Sequence, residues 1–127
     1  MVTFYSETFG LAVLRRFPHP GPTFLRIADD FGGHTAILGL FPSAAPSNYL
    51  GKAWTGHNRQ VTTLHHWAMT IPLDEHDEWL TRLTGRGLEP TTATHAWVGW
   101  RSIYVLDPET NVVELVCYDE AALQTGQ

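Results

Sequence analysis

Apolar and polar positions divide the chain into two runs of short elements separated by a long polar break. Residues 1–10 (MVTFYSETFG) predict a short helix stopped by Gly10. Residues 11–17 alternate loosely and predict a strand, followed by a PHPGP turn at 18–22. Strands at 23–28 and 35–41 (TAILGLF) flank a tight turn, DDFGGH, at 29–34. The break at 42–63 is rich in Pro, Ser, Gly and Asn. It is long for a loop, which makes it either a linker between half-domains or a lid.

Beyond the break, 65–71 (HHWAMTI) reads as a strand. Asp74 is the expected N-cap of a helix whose first turn holds Glu75, Asp77 and Glu78, suited to the positive end of the helix dipole. Trp79, Leu80 and Leu83 form its apolar stripe, and Gly85, Gly87 and Pro90 stop it. A short strand is expected near 88–93. Strands at 100–106 and 112–118 are joined by a hairpin turn at 107–111, and the residues after 118 read as a frayed tail.

The two runs match when the chain is shifted by 77 positions without gaps. Gly-Leu at 10–11 then falls on Gly-Leu at 87–88, the turn at 30–34 on that at 107–111, and TAILGLF on VVELVCY. Each run reads helix, strand, strand, turn, strand. The organisation expected is one domain over 1–127, with a first module at 1–41, a linker at 42–63, a second module at 64–118 and a tail at 119–127. The shift carries Ile37 onto Glu114, so the first run lacks that carboxylate. His66 and its strand have no counterpart in the first run; that strand is expected to be lost or supplied by another chain.

Size and charge narrow the function classes. At 127 residues and 43% hydrophobic content, the chain can bury a core without disulfides. A single cysteine, Cys117, excludes an intramolecular disulfide and a cysteine-rich zinc site, and fits a reducing, cytoplasmic setting. The net charge of −5 argues against nucleic acid and anionic membranes as partners. No apolar run approaches the roughly 20 residues of a membrane-crossing helix. Five Trp, four Tyr and six Phe fill a core or line a pocket for an aromatic ligand.

Two polar residues stand out against this pattern. Glu114 lies within Val112, Val113, Leu115 and Val116, where a carboxylate is costly unless it is paired or bound. His66 opens a strand, either satisfied by backbone or serving as a ligand. If Leu106 pairs with Val112 across the hairpin, Tyr104 sits opposite Glu114 and Ser102 opposite Val116, all on one face. Tyr104 is then placed to hydrogen-bond a bound oxygen or assist proton transfer, or to act as a rim aromatic. Arg101 has the opposite parity and is expected on the outer face. His65, next to His66, is expected to point away from it.

The order β-α-β-β-β used twice, with HHWAMTI opening the second set and WRSIYVLDPETNVVEL closing it, resembles the vicinal oxygen chelate superfamily. That group includes glyoxalase I, bleomycin- and fosfomycin-resistance proteins, methylmalonyl-CoA epimerase and extradiol dioxygenases. The closing stretch is similar to its Tyr-x-x-Asp-Pro-x-Gly-Asn-x-x-Glu-Leu pattern and departs from it at Thr110, where glycine is usual. The resemblance implies an α+β fold of two modules forming a curled half-barrel cup, the first module without its opening strand.

It further implies that His66 and Glu114 ligate a divalent metal, Fe, Mn, Ni, Co or Zn, whose third ligand belongs to the missing strand. His57, in the long break, is the one remaining histidine expected to be able to replace it; His19, His34 and His76 are expected to be solvated. The run from 92 to 114 is close to the extradiol dioxygenase pattern, departing at Ala93 and Thr110. In that pattern His95 is an acid-base residue beside the metal. Trp97, Trp100 and Ser102 are the candidate substrate contacts.

Two functions follow from the resemblance. One is a metal-dependent lyase, isomerase or dioxygenase acting on a small oxygenated substrate, with Glu114, Tyr104 and His95 catalytic. The other is a module without metal that sequesters a small-molecule ligand, as bleomycin-resistance proteins do. A homodimer is expected in either case.

Overall fold

The computed structural model describes residues 1–31, 33–42 and 64–123. The chain forms two compact units, Met1–Thr63 and Leu64–Gln127. His57 and all but the first residue of the 42–63 break lie outside the described residues.

In the first unit a helix, α1 (Val2–Thr8), precedes three strands: β1 (Val13–Arg16), β2 (Thr23–Phe31) and β3 (His34–Leu40). They form an antiparallel sheet in the order β1-β2-β3. Tyr5, Phe9, Leu11 and Leu25 are its buried apolar residues. The sequence placed the end of β2 at residue 28; it runs on to Phe31, with register shifts after Arg26 and Ala28. These bulges absorb part of the expected turn into the ladder.

The second unit opens with β4 (Trp67–Thr70) and continues through α2 (His76–Gly85), β5 (Thr91–His95), β6 (Trp100–Leu106) and β7 (Val112–Tyr118). Its sheet runs β4-β7-β6-β5, with β4 parallel to β7 and the other pairs antiparallel. Ile103, Val105, Val113, Leu115 and Cys117 share one face and are buried with Ile71 and Leu83. The alternate residues, Ser102, Tyr104 and Glu114 among them, share the other face.

Several local expectations shift. Asp74 does not cap α2: it sits in a 3-10 turn, Leu73–Glu75, that follows an extended Pro72 and leads into the helix at His76. The helix ends as glycine predicts. Gly87 takes φ +76°, and its N–H donates to Thr84 O while Leu88 N donates to Leu83 O. β5 starts after Pro90, which has no N–H to give a ladder, and runs to His95, opposite Trp100. The tail is not wholly frayed, because Asp119 accepts a hydrogen bond from Ala121 N and caps a 3-10 turn, Glu120–Ala122.

His76 is not solvated. It is 3% exposed, with Nδ1 3.0 Å from Asp77 Oδ1 and 3.3 Å from an Arg101 nitrogen. Arg101 does lie on the face opposite Tyr104, but there it meets the start of α2 and reaches Asp119 at 3.8 Å. Asp77 titrates lower than usual, chiefly because His76 donates to it and, less, because Arg101 is near.

Facing pairs relate the two units more closely than the ungapped shift does. Leu25 pairs with Leu38 as Ile103 pairs with Leu115, and Arg26 pairs with Ile37 as Tyr104 pairs with Glu114. The shift of 77 holds for β3 onto β7 and becomes 78 for β2 onto β6, because the first hairpin is one residue longer. The first unit thus places Arg26 and Ile37 where the second places Tyr104 and Glu114.

Candidate functional site

The site lies on the sheet face that carries Ser102, Tyr104 and Glu114 and is built by strand register. Glu114 has Tyr104 beside it on β6 and Ala68 beside it on β4. The parallel β4 starts at Trp67, so His66 sits just before the strand and its ring swings over the neighbouring rung. There its Nε2 is 3.0 Å from Glu114 Oε2, and its ring meets that of Tyr104 edge-on at 6.2 Å. The His66 side chain is 36% exposed and that of Glu114 7%. One ligand candidate is open to solvent and the other is held in the sheet.

Ser102 completes the carboxylate's surroundings. It is fully buried, and its hydroxyl donates to Glu114 Oε1 at 2.5 Å. Ser102, a substrate-contact candidate from the sequence, is buried here and holds the Glu114 carboxylate. Each Glu114 oxygen therefore has at least one partner, which offsets the cost of a buried carboxylate.

Tyr104 bonds on its other side to His95, with Nε2 and hydroxyl 2.9 Å apart. His95 occupies the last position of β5, not a loop, and pairs with Trp100 across the ladder. Burial pushes the Tyr104 hydroxyl above its ordinary value; Ser102 pulls it down, and Glu114 pushes it up. Tyr104 accordingly stays a phenol, able to donate, at neutral pH. Trp100 lies on the same face two rungs from Tyr104, opposite Tyr118, and both rings are about half exposed. Trp97 sits in the β5–β6 turn and is 77% exposed, outside this cluster. Beside Tyr104 a depression of about 540 Å³ opens, lined by Thr91, Leu88, Leu106 and Val112.

His65 departs from expectation. Strand alternation does not govern it, because both histidines precede β4, and its Nδ1 lies 2.6 Å from His66 Nδ1.

The donor set can be tested against a divalent ion. His66 Nε2 and Glu114 Oε2 lie 3.0 Å apart, a hydrogen-bond distance that would also suit neighbouring donors on a six-coordinate divalent ion. Imidazole with carboxylate suits Zn, Fe, Mn, Co or Ni. These two residues fit adjacent positions on such an ion; among the described residues no group of three His, Cys, Asp or Glu side chains is gathered to hold one.

A family model described as the Glyoxalase/Bleomycin resistance protein/Dioxygenase superfamily matches residues 1–115. The chain belongs to that superfamily. Solved structures agree on the fold. A lactoylglutathione lyase from Agrobacterium tumefaciens superposes with a TM-score of 0.63 at 22% identity, covering 91% of this chain and 81% of that one. An integron cassette protein from the Halifax Harbour sewage outfall metagenome gives 0.65 at 15% identity, covering 91% and 84%. The fosfomycin resistance protein FosX from Listeria monocytogenes gives 0.58 at 18% identity, covering 97% and 85%. At these identities the likeness is one of fold. No curated protein matches the sequence. Among the described residues, no helix of this superfamily member is long and apolar enough to cross a membrane.

Proposed function

We propose that the chain is a metal-dependent enzyme of the glyoxalase/dioxygenase type, acting on a small substrate through oxygen atoms on adjacent carbons. The observation that carries this reading is the 3.0 Å convergence of His66 Nε2 and Glu114 Oε2 on one sheet face, beside the His95–Tyr104 pair. In this reading His66 and Glu114 are two of the metal's ligands.

A bound divalent ion would act as a Lewis acid toward the substrate oxygens. The chain's own groups do the remainder. Ser102 fixes the Glu114 carboxylate so that one oxygen faces His66. Tyr104 donates to a substrate oxygen, and His95 behind it takes up or returns the proton. The depression beside Tyr104 is lined largely by carbon, which suits a substrate with an apolar part. Trp100, and less directly Trp97, would stack against a planar portion. We place the protein in the cytoplasm as a homodimer.

A second reading, a metal-free module that sequesters a ligand, has one observation in its favour. Ile37 and Arg26 of the first unit stand where Glu114 and Tyr104 stand in the second, so only one unit carries this chemistry.

Metal content of protein purified without an affinity tag separates the two. About one divalent ion per chain, lost in both His66→Ala and Glu114→Ala, supports the enzyme. Metal-free protein that still binds an aromatic ligand supports the module.

A further inference from the structure

His65 was expected to face away from the site and instead touches its histidine. Its Nδ1 lies 2.6 Å from that of His66, with the rings edge-on at 76° and centroids 4.9 Å apart. Two imidazole nitrogens approach so closely only when one carries the hydrogen and the other accepts it. We propose that His65 is a positioning residue, whose Nδ1 accepts a hydrogen bond from His66 Nδ1–H and so aims the lone pair of His66 Nε2 at a divalent cation shared with Glu114. This rests on the metal-dependent reading above.

The proton inventory carries the argument. With both rings neutral, each has one N–H, and two arrangements satisfy the Nδ1–Nδ1 contact. In the first, His65 Nδ1–H donates to His66 Nδ1, and His66 Nε2–H donates to Glu114 Oε2, 3.0 Å away. That arrangement is complete without a cation. In the second, His66 Nδ1–H donates to His65 Nδ1, and His66 Nε2 turns a lone pair toward the Glu114 carboxylate. Two electron-rich atoms at 3.0 Å repel unless a cation lies between them.

Metal binding therefore selects the second arrangement. The change balances: His66 Nε2 gives its proton to water, the His65 Nδ1 proton crosses the 2.6 Å bond to His66 Nδ1, and His65 Nε2 takes a proton from water. Both rings begin and end neutral. The outer partner of a ligating histidine fixes its tautomer and ring plane, and losing that partner weakens metal binding by roughly 10–100-fold. Carboxylates and backbone carbonyls are the usual partners; here a second imidazole, adjacent in sequence, takes the place. It can do so because the chain has not yet entered β4, where neighbours would face opposite ways.

Zinc affinity, measured on the full chain by competition with a chelating dye, tests this. His65→Ala is expected to bind zinc roughly 10–100-fold more weakly than wild type. His65→Asn, whose amide oxygen takes the place of Nδ1, should stay within about threefold. Both variants should melt as wild type does, because His65 is exposed. In the zinc-loaded protein, long-range proton–nitrogen correlation should show His65 protonated at Nε2 and bare at Nδ1, accepting from His66 Nδ1–H, which a merely structural role for His65 would not require. Equal zinc affinity in His65→Ala and wild type, with binding lost in His66→Ala, overturns this inference and leaves the metal-dependent reading standing. A wild-type protein that binds none of Zn, Fe, Mn, Co or Ni overturns both.

Discussion

The Ser102 hydroxyl lies 2.5 Å from Glu114 Oε1, on the side of the carboxylate away from His66. The two residues are diagonal neighbours on adjacent strands, since Ser102 pairs with Val116 and Tyr104 with Glu114. Sheet register alone therefore decides which oxygen of Glu114 is free to face the imidazole.

Removing that hydroxyl leaves a buried acceptor without its donor. Ser102→Ala is expected to lose about 1–3 kcal/mol of stability. Urea unfolding followed by tryptophan fluorescence measures it. A variant as stable as wild type would mean that the carboxylate finds another donor.

Thr110 holds a position that suits glycine. It has φ +67° in a turn otherwise organised by Asp107, whose Oδ1 accepts from the N–H groups of Glu109 and Asn111 and whose Oδ2 accepts from the Asn111 amide. Left-handed backbone costs a β-branched residue about 1–2 kcal/mol. Thr110→Gly is expected to stabilise the protein by about 1 kcal/mol, net of the greater entropy glycine loses on folding. The denaturant midpoint should rise with an unchanged slope.

Cys117 is buried, and burial pushes its thiol above the ordinary 9.0. The unfolded chain therefore releases this proton first as pH rises. The stability linked to it is whole below about pH 9 and is lost on going up through the folded value. Tyr104, raised from 10.0, acts in the same direction at higher pH. Urea melts from pH 7 to 11 should show falling stability, less steeply in Cys117→Ala. In the folded protein the thiol should react with a disulfide reagent only as fast as the chain opens.

Much of this was legible in the sequence, and each miss has a physical cause. The period-two pattern of residues 100–118 gave β6 and β7 with their bounds, and the hairpin turn gave the Tyr104–Glu114 pairing. Ile103, Val105, Val113, Leu115 and Cys117 bury the apolar face of those strands, which ties pattern to register. His65 and Asp74 were misplaced because each lies just outside a regular element, where neither alternation nor capping rules hold. The buried His76 meets Arg101, 25 positions away, a pairing that no local pattern announces. Ser102 was assigned to the correct face but not to its partner, because parity gives direction and not depth. Ile37 was correctly aligned with Glu114, while the one-residue difference between the hairpins showed only in the ladder.

The zinc dissociation constant of Glu114→Gln against wild type tests the central claim most directly. The amide keeps the shape of the carboxylate and can still accept from Ser102, so the fold is retained while the charge is removed. Convergence of His66 and Glu114 on one cation predicts binding at least about 100-fold weaker in the variant, with an unchanged melting temperature. Affinity equal to wild type would place any metal elsewhere and contradict the account.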